Sequence, residues 1–206
     1  MTPRFILASN SPRRRELLSM IGMEFEVTVS DCDENADASL APAELVKELA
    51  FRKAQAVESR GAADGDYIII GADTVVADGS RILGKPADRD DAVNTLLSLS
   101  GKTHSVFTGV ALVGRIDGRA ITVTDAVETK VTFAAISRGE AEFYADTGEP
   151  MDKAGSYAAQ GIGGFFVNEL HGDYYNVVGL PISRIRSILL ESFGLKPESY
   201  IGRRNV

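Results

Sequence analysis

The 206-residue chain is 44% apolar and 25% charged, a balance that suits a globular protein with a sizeable core and excludes a disordered or low-complexity chain. Its net charge of −7 argues against a nucleic-acid partner, since that binding needs a lysine and arginine surface to neutralise phosphates. Small anionic ligands stay open, because a local group of cations acts within about 8–10 Å whatever the overall sign. Cys32 is the single cysteine, so neither an internal disulfide nor a multi-cysteine zinc site is available. With no apolar run near the roughly 20 residues of a membrane span and no signal-peptide pattern, a cytoplasmic protein without a membrane partner is expected.

Residues 5–9 form a short apolar run that stops at Asn10-Ser11-Pro12. Ser11 suits a helix cap and Pro12 a first turn, so strand, turn and helix are expected in succession. The helix over 13–21 carries Leu17, Leu18 and Ile21 at helical spacing and should stop at Gly22; residues 25–29 read as a second strand. After an acidic loop over 31–37, Pro42 opens a longer helix with an apolar stripe of Leu45, Leu49, Phe51 and Val57, on which Lys47, Arg52 and Lys53 also lie. Residues 67–76 are the strongest buried-strand signal and run toward an Asp78-Gly79 turn.

A helix over 88–99, with Ala92, Val93, Leu96 and Leu97 inward, is closed by Gly101 and followed by a strand over 104–113. Residues 120–134 have strand composition, 137–147 are helical up to Gly148, and 155–166 are glycine-rich. The last amphipathic helix spans 182–193, and the polar tail over 196–206 is expected to be mobile. Strands and helices interleave without repeat or linker, which predicts one α/β domain with a mixed or largely parallel sheet covered by helices.

Ser9-Asn10-Ser11-Pro12-Arg13-Arg14-Arg15 places hydroxyls, backbone N–H groups and guanidinium forks at a helix start directly after a strand. A helix start carries about half a positive charge, so arginines there oppose the dipole, and an anion that offsets them accounts for them better than helix design does. Guanidinium forks match phosphate oxygens in bidentate geometry, which makes Ser9, Ser11, Arg13 and Arg14 candidate triphosphate ligands.

Asp73 lies where the apolar strand emerges, a common ligand position in α/β proteins. An ordinary aspartate has a pKa of about 3.9 and bulk water one of about 15.7, a gap of roughly 16 kcal/mol, so Asp73 alone is not a sufficient base for water. A divalent cation, Mg²⁺ or Mn²⁺, is therefore expected to acidify the water, held by carboxylate and phosphate oxygens. Glu34 in the acidic loop is the candidate second metal ligand beside Asp73, and Lys53 and Lys85, the latter in Gly84-Lys85-Pro86, are candidates for neutralising phosphate. Each feature has an ordinary alternative as a cap, a turn, a solvated loop or a surface lysine; their occurrence together points to a polyphosphate.

Ser100-Gly101-Lys102-Thr103 ends like a phosphate-binding loop, but Leu96 stands where its first glycine belongs, and Phe166 replaces the third glycine of a dinucleotide fingerprint at Gly161-Ile162-Gly163-Gly164. His104 and His171 lack a cysteine partner and read as structural hydrogen-bonding groups, and no serine stands in the Gly-x-Ser-x-Gly context of acyl-transfer hydrolases.

Taken in order, Ser9 to Arg14, Asp33-Glu34, Lys53, Gly71-Ala72-Asp73-Thr74, Gly84-Lys85-Pro86, Thr108-Gly109, the run from Gly148 to Tyr157, Gln160-Gly161 and the run from Gly172 to Pro181 cover nearly the whole chain. This set resembles the Maf nucleotide pyrophosphatases. The resemblance implies an elongated α/β fold of the inosine-triphosphatase-like type, a mixed sheet with flanking helices in two lobes around a nucleotide cleft, and a homodimer. It implies hydrolysis of a nucleoside triphosphate to monophosphate and pyrophosphate in nucleotide house-cleaning, with Asp73 as proton acceptor and Arg13, Thr74 and Gln160 discriminating among bases. The run Ala-Gly-Ser-Tyr-Ala-Ala-Gln-Gly resembles the branch acting on dTTP and UTP, and the Gln160 amide offers the donor and acceptor that the imide edge of uracil or thymine requires. The alternatives are the branch acting on methylated GTP and, in a different class, a nucleotide-binding regulator of septum formation. A single-strand nucleic-acid binder is a weaker reading: core packing is the expectation for Phe165-Phe166 and Tyr174-Tyr175, which such a binder would stack on bases.

Overall fold

Prolines set the start of the first two helices, α1 (Pro12–Met20) and α2 (Pro42–Glu58), where a missing N–H and a fixed φ carry no penalty. The computed structural model describes residues 2–33, 40–61 and 65–202. Two compact units divide the chain, one of Met1–Asp73, Thr108–Val127 and Gly179–Val206, the other of Thr74–Phe107 and Glu128–Val178. Among the described residues a seven-stranded sheet runs in the order β2-β1-β3-β5-β6-β7, with β4 paired to β3.

In the first unit, β1 (Arg4–Leu7) pairs in parallel with β2 (Glu26–Val27) and with β3 (Tyr67–Asp78), setting Phe5 opposite Ile68 and Leu7 opposite Ile70. Ile68, Ile69 and Ile70 are all buried, as expected of a parallel strand covered on both faces. Helix α2 buries Val46, Leu49, Ala50, Lys53, Ala54 and Val57, a stripe at helical spacing that includes one cation. A Cβ built on Gly71 would lie 2.2 Å from the Ala50 carbonyl oxygen, and one on Gly109 would lie 2.1 Å from that of Val46. Only glycine at these two strand positions lets the helix backbone approach so closely. The last helix, α6 (Ile182–Phe193), buries Ile185, Ile188, Leu189 and Phe193.

In the second unit, β4 (Arg81–Leu83) folds back antiparallel on the end of β3 after Gly79, with Val76 opposite Leu83. Helix α3 (Arg89–Leu99) is capped by Asp88, whose carboxylate accepts from the Asp91 N–H, and α4 (Arg138–Asp146) carries a full capping box between Ser137 and Glu140. The long strands β5 (Thr103–Ile116) and β6 (Arg119–Phe133), most of whose residues belong to the first unit, are joined by Asp117 and Gly118 at φ 49° and 78°, a two-residue hairpin connection that makes them antiparallel. Strand β7 (Val167–His171) pairs antiparallel with β6, and the short helix α5 (Tyr174–Val178) follows. Leu96, Leu99, Phe133, Tyr144, Tyr157 and Phe166 belong to the core of this unit.

Several expectations change. The second strand is only Glu26–Val27 and both residues are exposed, because it lies at the sheet edge. Leu99 is buried while Leu97 is only partly so. The tail is docked through Gly202: Tyr200 is buried with its ring 5.8 Å from Phe5, Ile201 bridges to Met23, and the Gly202 N–H donates to the Gly22 carbonyl. Core packing holds for Phe166 but not for Phe165, which is 87% exposed, nor for the exposed Tyr174 and Tyr175. Among the described residues no helix is long and apolar enough to cross a membrane.

Candidate active site

Asp73 and Lys53 come together as the close approach at Gly71 dictates. Lys53 sits on the buried face of α2, one turn past Ala50, and its Nζ donates to Asp73 Oδ1 at 2.6 Å, with side chains only 10% and 15% exposed. A carboxylate so placed is anchored through one oxygen by a near-buried cation, which fixes its orientation and balances its charge.

Between β1 and α1, the Ser9 hydroxyl is the hub. It accepts from the Ser11 N–H at 3.2 Å and from Arg14 Nη1 at 3.1 Å, while Arg14 Nε donates to the Gly179 carbonyl at 2.9 Å. Arg14 thus ties the start of α1 to the segment leading into α6. Ser11 stands at the cap position without a side-chain cap bond, and the first turn contains no acid, so no side-chain oxygen of the cap offsets the helix dipole there. The guanidinium groups of Arg13 and Arg15 have no hydrogen-bond or ion-pair partner among the described residues.

Thr74, Lys85 and Gln160 belong to the second unit. Lys85 is exposed and, among the described residues, without an ion-pair partner, and the carbonyl of its neighbour Gly84 accepts from the Gly155 N–H at 3.0 Å. That bond ties the Gly-Lys-Pro loop to the run that leads to Gln160. Ser156 in this run is buried at φ 59°, a sparsely populated backbone for a residue with a Cβ. Gln160 is exposed and its amide makes no hydrogen bond among the described residues. Glu34 lies outside the described residues, and among those described no three His, Cys, Asp or Glu side chains converge.

The histidine reading fits His104, whose Nε2 lies 2.9 Å from the Tyr157 hydroxyl in the core, with Phe133 edge-on at 4.9 Å; it does not fit His171, which is exposed with no side-chain hydrogen bond among the described residues. Burial pushes the His104 pKa down to about 4, opposed by the Asp78 charge, so the ring is neutral near pH 7. Sequence reasoning missed Gly179 as the acceptor for Arg14 and missed Glu149, whose carboxylate accepts from the N–H groups of Ile162 and Gly163. A glutamate between a glycine and a proline carries no signal of such a bond; the glycine-dense run after Gln160 was the available hint.

Residues 4–192 match the family of Maf-like proteins. The chain is 47% identical over 194 residues to a protein of Desulforamulus reducens named dTTP/UTP pyrophosphatase, covering 93% of this chain and 97% of that one. A protein of the same name from Bacillus thuringiensis subsp. konkukian is 48% identical over 182 residues, covering 88% and 92%. A solved nucleoside-triphosphatase, dITP/XTP pyrophosphatase, from Mycobacterium abscessus is 15% identical with a TM-score of 0.40, covering 91% of this chain and 94% of that chain.

Proposed function

This chain belongs to the Maf-like family, and from that premise we propose that it hydrolyses dTTP and UTP to the nucleoside monophosphate and pyrophosphate. The observation that carries this reading is near-full-length identity to proteins named for that activity. Water attacks the α-phosphorus, the bond from that phosphorus to the α,β-bridging oxygen breaks, and pyrophosphate leaves with that oxygen. Asp73 accepts the proton that the water gives up, with Lys53 holding its other carboxylate oxygen.

Roles follow from the chemistry of each side chain. Arg13 and Lys85, uncommitted among the described residues, offer their charge to phosphate oxygens, and Ser9, Ser11 and the first-turn amides of α1 offer hydrogen bonds. Arg14 acts chiefly by holding that turn in place. Gln160, Thr74 and Arg13 discriminate the base. Asp73 and Glu34 would offer carboxylate oxygens to a hard divalent cation, and Mg²⁺ or Mn²⁺ takes one or two carboxylates together with substrate phosphates. Such an ion supplies acidity to a coordinated water and neutralises phosphate charge.

The net charge of −7 and single cysteine support work in the cytoplasm on free nucleotide, not on nucleic acid or at a membrane, and the family resemblance supports a homodimer. The test is pyrophosphate release from dTTP, UTP, CTP, GTP and methylated GTP with Mg²⁺, with Mn²⁺ and with chelator. Metal-dependent preference for dTTP and UTP is the expected result. Turnover confined to methylated GTP, or no turnover of any triphosphate, sinks the proposal.

A further inference from the structure

Gln160 stands at the tip of a loop closed at both ends. At its base, the Ala158 N–H donates to the Tyr144 hydroxyl at 3.1 Å, and the Tyr144 ring is buried edge-on against Phe166 at 5.3 Å. A Cβ built on Gly163 would lie 2.6 Å from that same hydroxyl oxygen and 2.7 Å from the Ala158 carbonyl, so the returning strand of the loop meets its start at one point. Just beyond Gln160, Glu149 reaches across: Oε1 accepts from the Ile162 N–H at 3.1 Å and Oε2 from the Gly163 N–H at 3.0 Å. Gly161, between Gln160 and Ile162, adopts φ 140°, and a Cβ there would fall 2.0 Å from Glu149 Oε1. Successive N–H groups aimed at one spot form an anion-binding concavity, and this one is filled by the carboxylate of the chain's own Glu149.

This bracing has a consequence for recognition. An exposed glutamine on an unsupported glycine-rich loop would present its amide over a wide arc, and a displacement of about 1 Å at a recognition group can change rates by up to about a hundredfold. Holding the backbone on both sides of Gln160 reduces that freedom before any ligand arrives. We infer that Glu149 is a positioning residue for substrate selection, fixing the Gln160 loop through the Ile162 and Gly163 amides so that the side chain meets a pyrimidine base in one place. The inference rests on the reading of Gln160 as a base-discriminating residue.

The experiment is a double-mutant cycle on base selectivity, using wild type, Glu149→Gln, Gln160→Ala and the double variant, each assayed for kcat and KM with UTP and CTP. Glu149→Gln keeps the size of the side chain but removes its charge and one of its two acceptors. The expected result is a fall of about tenfold in the UTP over CTP ratio of kcat/KM, carried mainly by KM for UTP, with no further fall when Glu149→Gln is added to Gln160→Ala. Amide hydrogen exchange over residues 158–164 should quicken in Glu149→Gln. Should that variant not fold, Glu149→Asp, one methylene too short to reach both amides, takes its place in the cycle. Wild-type selectivity in the glutamate variant while Gln160→Ala loses it overturns the clamp alone, as does an equal effect of the glutamate change with and without Gln160. Unchanged selectivity in Gln160→Ala overturns the base-discriminating role of Gln160, and the inference with it.

Discussion

Lys53 Nζ and Asp73 Oδ1 are 2.6 Å apart across the contact of α2 with β3, and both side chains are largely withdrawn from water. Removing one partner strands the other charge, which for a buried pair costs about 3–5 kcal/mol. Lys53→Met should therefore lower Tm and reduce kcat together. Asp73→Asn removes the proton acceptor and should reduce kcat by about 10²–10⁴ while nucleotide still binds. Combining the two should restore part of the stability lost in Lys53→Met, since no charge is then left stranded. Thermal unfolding and steady-state kinetics on the three variants test this, and full activity in Asp73→Asn would contradict the assigned role.

Adjacent arginines of α1 should behave differently. Arg14 is engaged with Ser9 and the Gly179 carbonyl, and a hydrogen bond to a charged group is worth about 1.5–3 kcal/mol. Arg14→Ala should lower stability by about 2 kcal/mol, seen as a Tm lower by several degrees. Arg13→Ala should leave Tm nearly unchanged and raise KM for triphosphates about tenfold, the effect of one lost charge-assisted contact. Equal Tm losses in the two variants would show that the bond to Gly179 does not set them apart.

How far the sequence carried can be judged on these same residues. Prolines and periodic apolar positions were enough to place α1, α2 and α6 closely, because caps and helical spacing are local signals. The three-residue β4, in which only Leu83 is buried, and the five-residue β7, with exposed or half-buried positions, carry no alternation and were not anticipated. Asp73 and Lys53 were each singled out from their local setting, yet their pairing depends on α2 crossing β3 at Gly71, where an added Cβ would fall 2.2 Å from the Ala50 carbonyl oxygen, an approach that no local pattern encodes. Glu149 was passed over for a related reason: its partners are backbone amides thirteen and fourteen residues away. Glu34, the expected second metal ligand, lies outside the described residues.

The docked tail offers a test of structure apart from chemistry. Tyr200 is 7% exposed and packs on Phe5 of the first strand, and the Gly202 N–H closes onto Gly22. Truncating a large buried aromatic to alanine costs about 3–5 kcal/mol, so Tyr200→Ala should lower stability by about 3 kcal/mol with KM for UTP unchanged. Denaturant unfolding followed by circular dichroism measures the first and steady-state assay the second. A wild-type midpoint in this variant would mean the tail adds nothing to the fold.

His104 gives a pH dependence whose sign is set by burial. In the unfolded chain the imidazole titrates near 6.5, whereas in the core its pKa is pushed down to about 4. Above pH 6.5 both states are neutral at this residue and its contribution to stability is complete. As pH falls from 6.5 toward 4, the unfolded chain takes up a proton that the native state refuses, so stability is lost across that window; below about 4 both states are protonated and the loss levels off. At about 1.4 kcal/mol per pH unit, the loss reaches ~3 kcal/mol. His104→Gln keeps a hydrogen-bonding group near the Tyr157 hydroxyl but does not titrate, so it should show a flatter stability profile between pH 6.5 and 4, gaining about 3 kcal/mol relative to wild type across that window. Unfolding free energies measured at half-unit steps decide the matter: parallel profiles for wild type and variant would place the acid sensitivity elsewhere, whereas a variant that gains about 3 kcal/mol relative to wild type as pH falls from 6.5 to 4 assigns it to this buried ring.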